Sequence, residues 1–171
     1  MCELKGVEKL NNIITSFFEM LGYDEITCFM STEFAYYNTT NEISYSLFEM
    51  PLCDIGFKTY LKNHYPNMKE CSMFIFSLLH ELGHYLTWNS ISKREKLKAK
   101  KMKKRIGRKR EYTAQDVIQK QVEYCALYIE RIATAKGVEV LEENYDIIVN
   151  FEEIWFNAVM NFYKENNIEM A

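Results

Sequence analysis

Two histidines and a glutamate stand together in the segment Leu79–Tyr85, at the spacing HExxH. On a helix, residues four apart lie one above the other on the same face, so His80 and His84 can present two imidazoles to one cation. Zinc binds imidazole nitrogen at about 2.0–2.1 Å, which this spacing allows. Glu81 points to the side of that face. The pattern predicts a zinc site with His80 and His84 as ligands and Glu81 beside it.

The chemistry that such a site supports is hydrolysis of a peptide bond. Zinc lowers the pKa of a bound water toward about 7, and Glu81 can take the proton of that water as it attacks a carbonyl. The same carboxyl group can pass the proton to the leaving amine. We therefore predict a zinc metallopeptidase with Zn²⁺ as cofactor and Glu81 as catalytic base. The alternative is a buried helix with two hydrogen-bonded histidines, although burying these groups together without a metal is costly.

A catalytic zinc also needs a third protein ligand and one open position. No histidine follows His84, and Thr87 and Ser90 stand where the extended pattern HExxHxxGxxH places its glycine and third histidine. His64 lies before the zinc helix, across Pro66, and is poorly placed. The third ligand is therefore predicted to be a carboxylate or a thiolate.

We predict Glu123 as the third metal ligand. It is an acid among apolar neighbours, and the small residues Cys125 and Ala126 would let its helix approach the zinc helix. The alternative places Glu123 on a solvated helix face. Glu130 and Asp116 are then the next candidates, and Cys125 is a weaker one.

These motifs resemble those of the small gluzincin metallopeptidases of the ImmA/IrrE type. The resemblance rests on His80 to His84 followed by the Glu-x-x-Ala helix Glu123 to Ala126, and covers about residues 68–135. It implies a zincin-like fold, with His80, His84 and Glu123 as ligands and Glu81 as base. It further implies a cytoplasmic protein of the kind common on phages and mobile elements, which cleaves a repressor or another regulatory protein. The aspartate expected four residues after the ligand glutamate is missing, because Leu127 stands there.

The surrounding sequence predicts one α+β domain over 1–171, mainly helical, with a small antiparallel sheet packed on the zinc helix. Apolar spacing predicts helices over 5–21, 54–64, 67–88, 91–106, 113–136 and 145–165. Alternation predicts a strand at 25–31 and a hairpin with arms 33–37 and 42–47. Capping patterns predict helix starts at Asn67 and Thr113, and Gly137 is predicted to end its helix.

Two features of the predicted site stay open. The arm Ile43 to Leu47 is either an edge strand that pairs with substrate or an internal strand. A tyrosine that stabilises the oxyanion is expected, but five are candidates. They are Tyr36, Tyr37, Tyr85, Tyr124 and Tyr128.

Charge is distributed very unevenly along the chain. The segment Lys93–Arg110 holds 12 of the 21 Lys and Arg residues and one acid, Glu95, which leaves 9 basic and 23 acidic residues elsewhere. This basic insert at 91–110 has three interpretations: a solvated helix against the acidic body, a nucleic-acid contact, or a docking surface for an acidic protein. The alternative to an enzyme is a non-catalytic inhibitor or regulator that acts by binding a protein partner or nucleic acid through this segment.

Cysteine usage and hydropathy predict a cytoplasmic protein that does not contact membranes. The five cysteines are scattered, odd in number and form no CxxC pair, which is typical of reduced thiols. No apolar stretch is long enough to cross a bilayer. The 48% of hydrophobic residues are enough for a core without metal or disulfide staples.

Overall fold

The computed structural model describes residues 5–47, 51–106 and 113–168. The chain is mostly helical, with three short strands near its N-terminus. The helices are α1 (Val7–Met20), α2 (Pro51–His64), α3 (Met73–Thr87), α4 (Lys93–Ile106), α5 (Ala114–Cys125), α6 (Tyr128–Glu143) and α7 (Tyr145–Glu165). The strands are β1 (Thr27–Met30), β2 (Ala35–Tyr37) and β3 (Glu42–Tyr45), and a single 3-10 turn, Trp88–Ser90, joins α3 to α4.

The sheet is mixed rather than antiparallel, which corrects the sequence-based prediction. Its order is β1-β3-β2, with β3 antiparallel to β2 and parallel to β1. The hairpin at 38–41 reverses the chain so that β3 enters the space between the other two strands and runs in the direction of β1. The arm that begins at Ile43 is therefore the central strand, and β2 is an edge.

Burial along β3 also differs from the predicted alternation of a dry and a wet face. Ile43 and Tyr45 are fully buried, but Ser44 and Ser46 are buried as well, since the strand is covered on both sides. The Ser44 hydroxyl donates a hydrogen bond to the carbonyl oxygen of Glu33 at 2.8 Å. The Ser44 side chain can thus be buried because a backbone carbonyl accepts its hydrogen bond.

The zinc helix predicted over 67–88 begins later than expected, at Met73. Ser72, not Asn67, is its N-cap, and the Ser72 hydroxyl accepts a hydrogen bond from the amide of Ile75. From there α3 is buried over most of its length, in a core that also receives α1, the sheet and α7. This deep burial holds the side chains of α3 in fixed positions.

The helix predicted over 113–136 is in fact two helices. Thr113 and Asp116 form the predicted capping box at the start of α5. The chain then leaves helical geometry at Leu127, whose ψ is 145°, and α6 begins at Tyr128. Gly137 does not end a helix but lies buried in the middle of α6.

The two buried glycines let α3 and α6 pack in close contact. A Cβ at Gly83 would overlap the carbonyl oxygen of Ala133, and a Cβ at Gly137 would lie 3.0 Å from the carbonyl oxygen of Leu79. Both helices therefore approach backbone to backbone, which larger residues would prevent. The contact brings the side chains of the two helices together at one buried point.

The helix α4 lies against α6 through a second, smaller apolar cluster. Ile91 and Ala99 pack there on Ile129 of α6. The ammonium group of Lys96 lies 4.1 Å from the centre of the Trp88 ring, which adds a cation–π contact. The basic helix is thus anchored to the body of the molecule. Among the described helices, none is both long enough and apolar enough to cross a membrane.

Replacing Gly83 by alanine should destabilise the fold. The added methyl group would meet the Ala133 carbonyl and push the helices apart, at a cost of about 1–3 kcal/mol or more. The free energy of unfolding in a denaturant titration measures the effect. Leu86→Ala, on the exposed side of the same helix, is the control and should cost less. Equal stability of Gly83→Ala and the parent would contradict the close approach.

Candidate metal site

One carboxylate oxygen of α6 lies between the two histidines of α3. Oε2 of Glu130 is 3.2 Å from Nε2 of His80 and 3.2 Å from Nε2 of His84. The two imidazole rings stand nearly perpendicular, with centres 4.7 Å apart. All three residues are buried, and Glu130 has only 4% of its surface exposed. The histidines thus converge on one point, as their spacing predicts.

Glu81 lies beside this point rather than opposite it. A carboxylate oxygen of Glu81 and one ring nitrogen each of His80 and His84 all lie within 4.8 Å of one another. Glu81 is 9% exposed, so its carboxyl group is at the edge of the buried cluster. Its position on α3 separates it from Glu130 on α6. Two carboxylates, one from each helix, therefore lie next to the same pair of imidazoles.

The separations within the cluster agree with the dimensions of a tetrahedral zinc site. Ligand atoms about 2.0–2.1 Å from a tetrahedral zinc are about 3.3 Å from each other. A direct hydrogen bond between a charged imidazole and a carboxylate is shorter, at about 2.7–2.9 Å. The two separations of 3.2 Å lie closer to the first value. These two separations are compatible with an ion held by His80, His84 and Glu130.

A second layer of contacts orients the metal-facing groups. Nδ1 of His80 lies 3.1 Å from Oγ1 of Thr134. If Nε2 binds a metal, Nδ1 carries the ring proton and donates it to the threonine hydroxyl. The ring of Phe57 meets the His80 ring edge to face at 5.2 Å. Tyr124, at the end of α5, makes a side-chain hydrogen bond with Glu130. Three elements outside α3 therefore fix the cluster.

The electrostatics of the cluster favour an ionised Glu130 and a neutral Tyr124. Burial on its own would raise the pKa of Glu130, but the hydrogen bonds and charges of His80 and His84 outweigh burial and hold the pKa well below its ordinary value. Burial, followed by the charge of Glu130 and the hydrogen bond to it, raises the pKa of Tyr124, and Glu81 adds to this. Tyr124 therefore keeps its proton and donates a hydrogen bond to the carboxylate.

The structure brings Glu130, and not the predicted Glu123, to the histidines. Glu123 is exposed on α5, where its Oε1 accepts a hydrogen bond from Nε2 of Gln119 at 3.3 Å. Glu123 belongs to α5, which ends at Cys125. After the break at Leu127 the chain continues as α6, and this helix brings the carboxylate of Glu130 to α3. Glu130 was, with Asp116, the next candidate in the sequence, and it is the glutamate that lies next to the histidines.

The remaining candidates from the sequence have other surroundings. Asp116 accepts hydrogen bonds at the start of α5, and Cys125 is buried next to the side chain of Gln121. His64 stacks on Tyr60, and its Nδ1 lies 2.9 Å from the Tyr60 carbonyl oxygen. None of the three side chains belongs to the group of metal-type ligands found in the described part of the chain.

Two residues of the site were missed or left undecided by the sequence. Thr134 was not considered, although it stands four residues after Glu130, one turn along the same helix face. The residue that orients a ligand histidine was expected four positions after the ligand glutamate. Counting from Glu123 leads to Leu127, whereas counting from Glu130 leads to Thr134. Tyr124 was one of five candidate tyrosines. Its contact with Glu130 distinguishes it from Tyr37 and Tyr128, which are exposed, and from Tyr36 and Tyr85, which contact each other.

Comparison of the chain with protein-family models, with curated proteins and with solved structures gave no match. The assignment of chemistry to the cluster therefore depends on its geometry and its residue types.

Replacing Glu130 by glutamine should weaken zinc binding by more than about a hundredfold. The amide keeps the shape of the side chain but removes the charge, and even indirect partners of a metal ligand contribute about 10–100-fold. Glu123→Gln is the matched control and should bind zinc as the parent does, since that carboxylate is exposed on α5. Titration of zinc against a competing chelator measures both. Loss of binding in Glu123→Gln alone would restore the sequence-based assignment.

Proposed function

We propose that this chain is a zinc-dependent metallopeptidase with His80, His84 and Glu130 as metal ligands and Glu81 as catalytic base. The observation that carries the proposal is the single Glu130 oxygen equidistant from the two imidazole nitrogens. Two histidines and one glutamate are a ligand set known from catalytic zinc sites, which leave the fourth position open. The HExxH spacing supplies the base in the same turn of helix.

The burial of the cluster supports a cation at its centre. Glu130 lies 3.2 Å from both imidazoles, and Glu81 lies within 4.8 Å of them, so two buried carboxylates flank the same pair of histidines. Like charges in a medium of low dielectric repel each other unless positive charge lies between them. Zinc would supply that charge, and would also polarise a substrate carbonyl and make water more acidic. Without a metal, both histidines would have to be protonated to neutralise the negative charge of the two carboxylates.

The side chains then have separate tasks. Glu81 accepts a proton from the attacking water and delivers it to the leaving amine, which is general acid–base catalysis by one carboxyl group. Thr134 holds the ring of His80, and Tyr124 holds the carboxylate of Glu130. Phe57 covers one side of His80 and keeps bulk water from that ring. This fixed environment favours the reaction because it does not need to reorganise.

The edge strand β2 is the proposed surface for the substrate backbone. An extended peptide can add to the free side of an edge strand, with its side chains alternating in direction. The central strand β3 is already paired on both sides. Tyr36 of β2 contacts Tyr85 and Trp88 at the C-terminal end of α3, so this edge lies next to the helix that carries the cluster.

The proposed substrate is a regulatory protein inside the cell, as the resemblance to the ImmA/IrrE type implies. A competing proposal is a non-catalytic regulator that keeps the cluster for stability. The two differ in whether Glu81 is needed, because a purely structural cluster does not need a base at that position.

Replacing Glu81 by glutamine should abolish peptide hydrolysis and leave zinc bound. A general base contributes about 10²–10⁴-fold to rate, whereas the three proposed ligands are unchanged. The purified, zinc-loaded protein is incubated with a proteome-derived peptide library, and new N-termini are counted by mass spectrometry. Glu123→Gln serves as the control and should cleave like the parent. Equal cleavage by Glu81→Gln would contradict the proposed role, and a zinc-loaded parent without any cleavage would favour the regulator.

Replacing Thr134 by valine should lower zinc affinity by about 10–100-fold with little change in fold stability. Valine has nearly the same shape but cannot accept the hydrogen bond from His80. Thr134→Ser retains the hydroxyl and should restore most of the affinity. The measurement is a chelator competition together with thermal unfolding of the metal-free protein. If valine and serine behaved alike, the hydroxyl would have no part in orienting the histidine.

A further inference from the structure

The outward side of α4 is a row of cations on a firmly attached helix. Its exposed cationic residues are Lys93, Arg94, Lys98, Lys100 and Lys101. The inward side is held by Ala99, which packs against Ile129, and by Lys96 over the Trp88 ring. The cations are therefore presented at fixed positions and not on a loose segment. We name this row the α4 ridge.

Little of this charge is neutralised by the protein itself. Glu95 is the one acid in α4, and it pairs with Lys98 at 2.8 Å. Within the described parts of the chain, no carboxylate forms an ion pair with Lys93, Arg94, Lys100 or Lys101. The body of the molecule is acidic, yet it leaves the ridge exposed to solvent. Like charges crowded along a helix repel each other, and a bound polyanion relieves that repulsion.

The residue types on the α4 ridge favour nucleic acid over an acidic protein. Interfaces between proteins are depleted in lysine and depend on buried aromatic or aliphatic anchors. Among the side chains of α4 that the structure describes, Leu97 is the one large apolar side chain that is exposed. Interfaces with nucleic acid are polar and strongly positive. The ridge also lacks exposed aromatics for stacking on unpaired bases, which favours the backbone of a duplex.

The dimensions of the α4 ridge also fit a duplex. A helix of 14 residues is about 21 Å long, and duplex DNA carries one negative charge per about 1.7 Å of its axis. About 12 phosphates thus lie within the length of α4, which is more than the five described cations on its outward side.

We propose that the α4 ridge binds the phosphate backbone of double-stranded nucleic acid without reading its sequence. This proposal does not depend on the metal cluster, since none of the ridge residues contacts His80, His84 or Glu130. Binding of this kind releases counterions, so the affinity falls steeply with salt. Each phosphate contact contributes about 0.9 to the slope of log affinity against log salt concentration.

The test is fluorescence anisotropy with a labelled 20-base-pair DNA of mixed sequence, across a series of salt concentrations. One variant neutralises four ridge cations, and the other neutralises four exposed lysines on the other helices α1, α2 and α7. The ridge variant is Lys93→Gln, Arg94→Gln, Lys100→Gln and Lys101→Gln, and the control is Lys9→Gln, Lys58→Gln, Lys62→Gln and Lys164→Gln. The two proteins have the same net charge, and glutamine is a good helix former.

The expected result is at least a tenfold loss of DNA affinity and a smaller salt slope in the ridge variant, with the control close to the parent. An equal loss of affinity in both variants would mean that only the net charge of the protein matters, and would overturn the proposal. Absence of binding by the parent at low salt would also overturn it. So would stronger binding of the parent to polyglutamate than to the duplex, because the ridge would then be a surface for acidic protein. Zinc content, measured in parallel, should be the same in all three proteins.

Discussion

The contact between α3 and α6 is the constraint on which the site depends. An imidazole and a carboxylate on two different helices reach each other only when the helix axes are close. Gly83 and Gly137 make this approach feasible, because each occupies the point where the other helix presents its backbone. The energy for this packing comes from the apolar core around α3, which buries residues from the sheet, α1 and α7 as well. The polar cluster is thus held by hydrophobic packing that surrounds it.

A single break in the chain decides which acid meets the histidines. Glu123 and Glu130 are seven residues apart and would lie on the same face of a continuous helix, so the periodicity of the sequence cannot distinguish them. The extended backbone of Leu127 separates the two residues into different helices with different directions. Leu127 carries no glycine or proline signal, and the break results from packing rather than local propensity. This is why the sequence favoured Glu123, whereas the structure places Glu130 next to the histidines.

The elements with strong local signals were predicted correctly from the sequence. The capping box at Thr113, the turn before Glu42 and the amphipathic pattern of α7 all depend on residues close together in the chain. The prediction of an antiparallel sheet was wrong, because the parallel pairing of β1 with β3 is a contact between distant residues that the alternation of side chains does not specify. Gly137 was misjudged for a similar reason, since its role depends on α3. The described cysteines Cys28, Cys71 and Cys125 form no disulfide with one another.

The partner of His80 is a neutral hydroxyl, and this affects the electronic character of the cluster. A carboxylate in the place of Thr134 would draw the Nδ1 proton toward itself and make the imidazole a stronger electron donor. With threonine the ring remains an ordinary donor, and a cation held by His80, His84 and Glu130 keeps more of its own positive charge. Such a centre is a stronger Lewis acid but binds its metal with lower affinity. If the chain binds zinc as proposed, we expect it to release the metal more readily than a site with a carboxylate partner would.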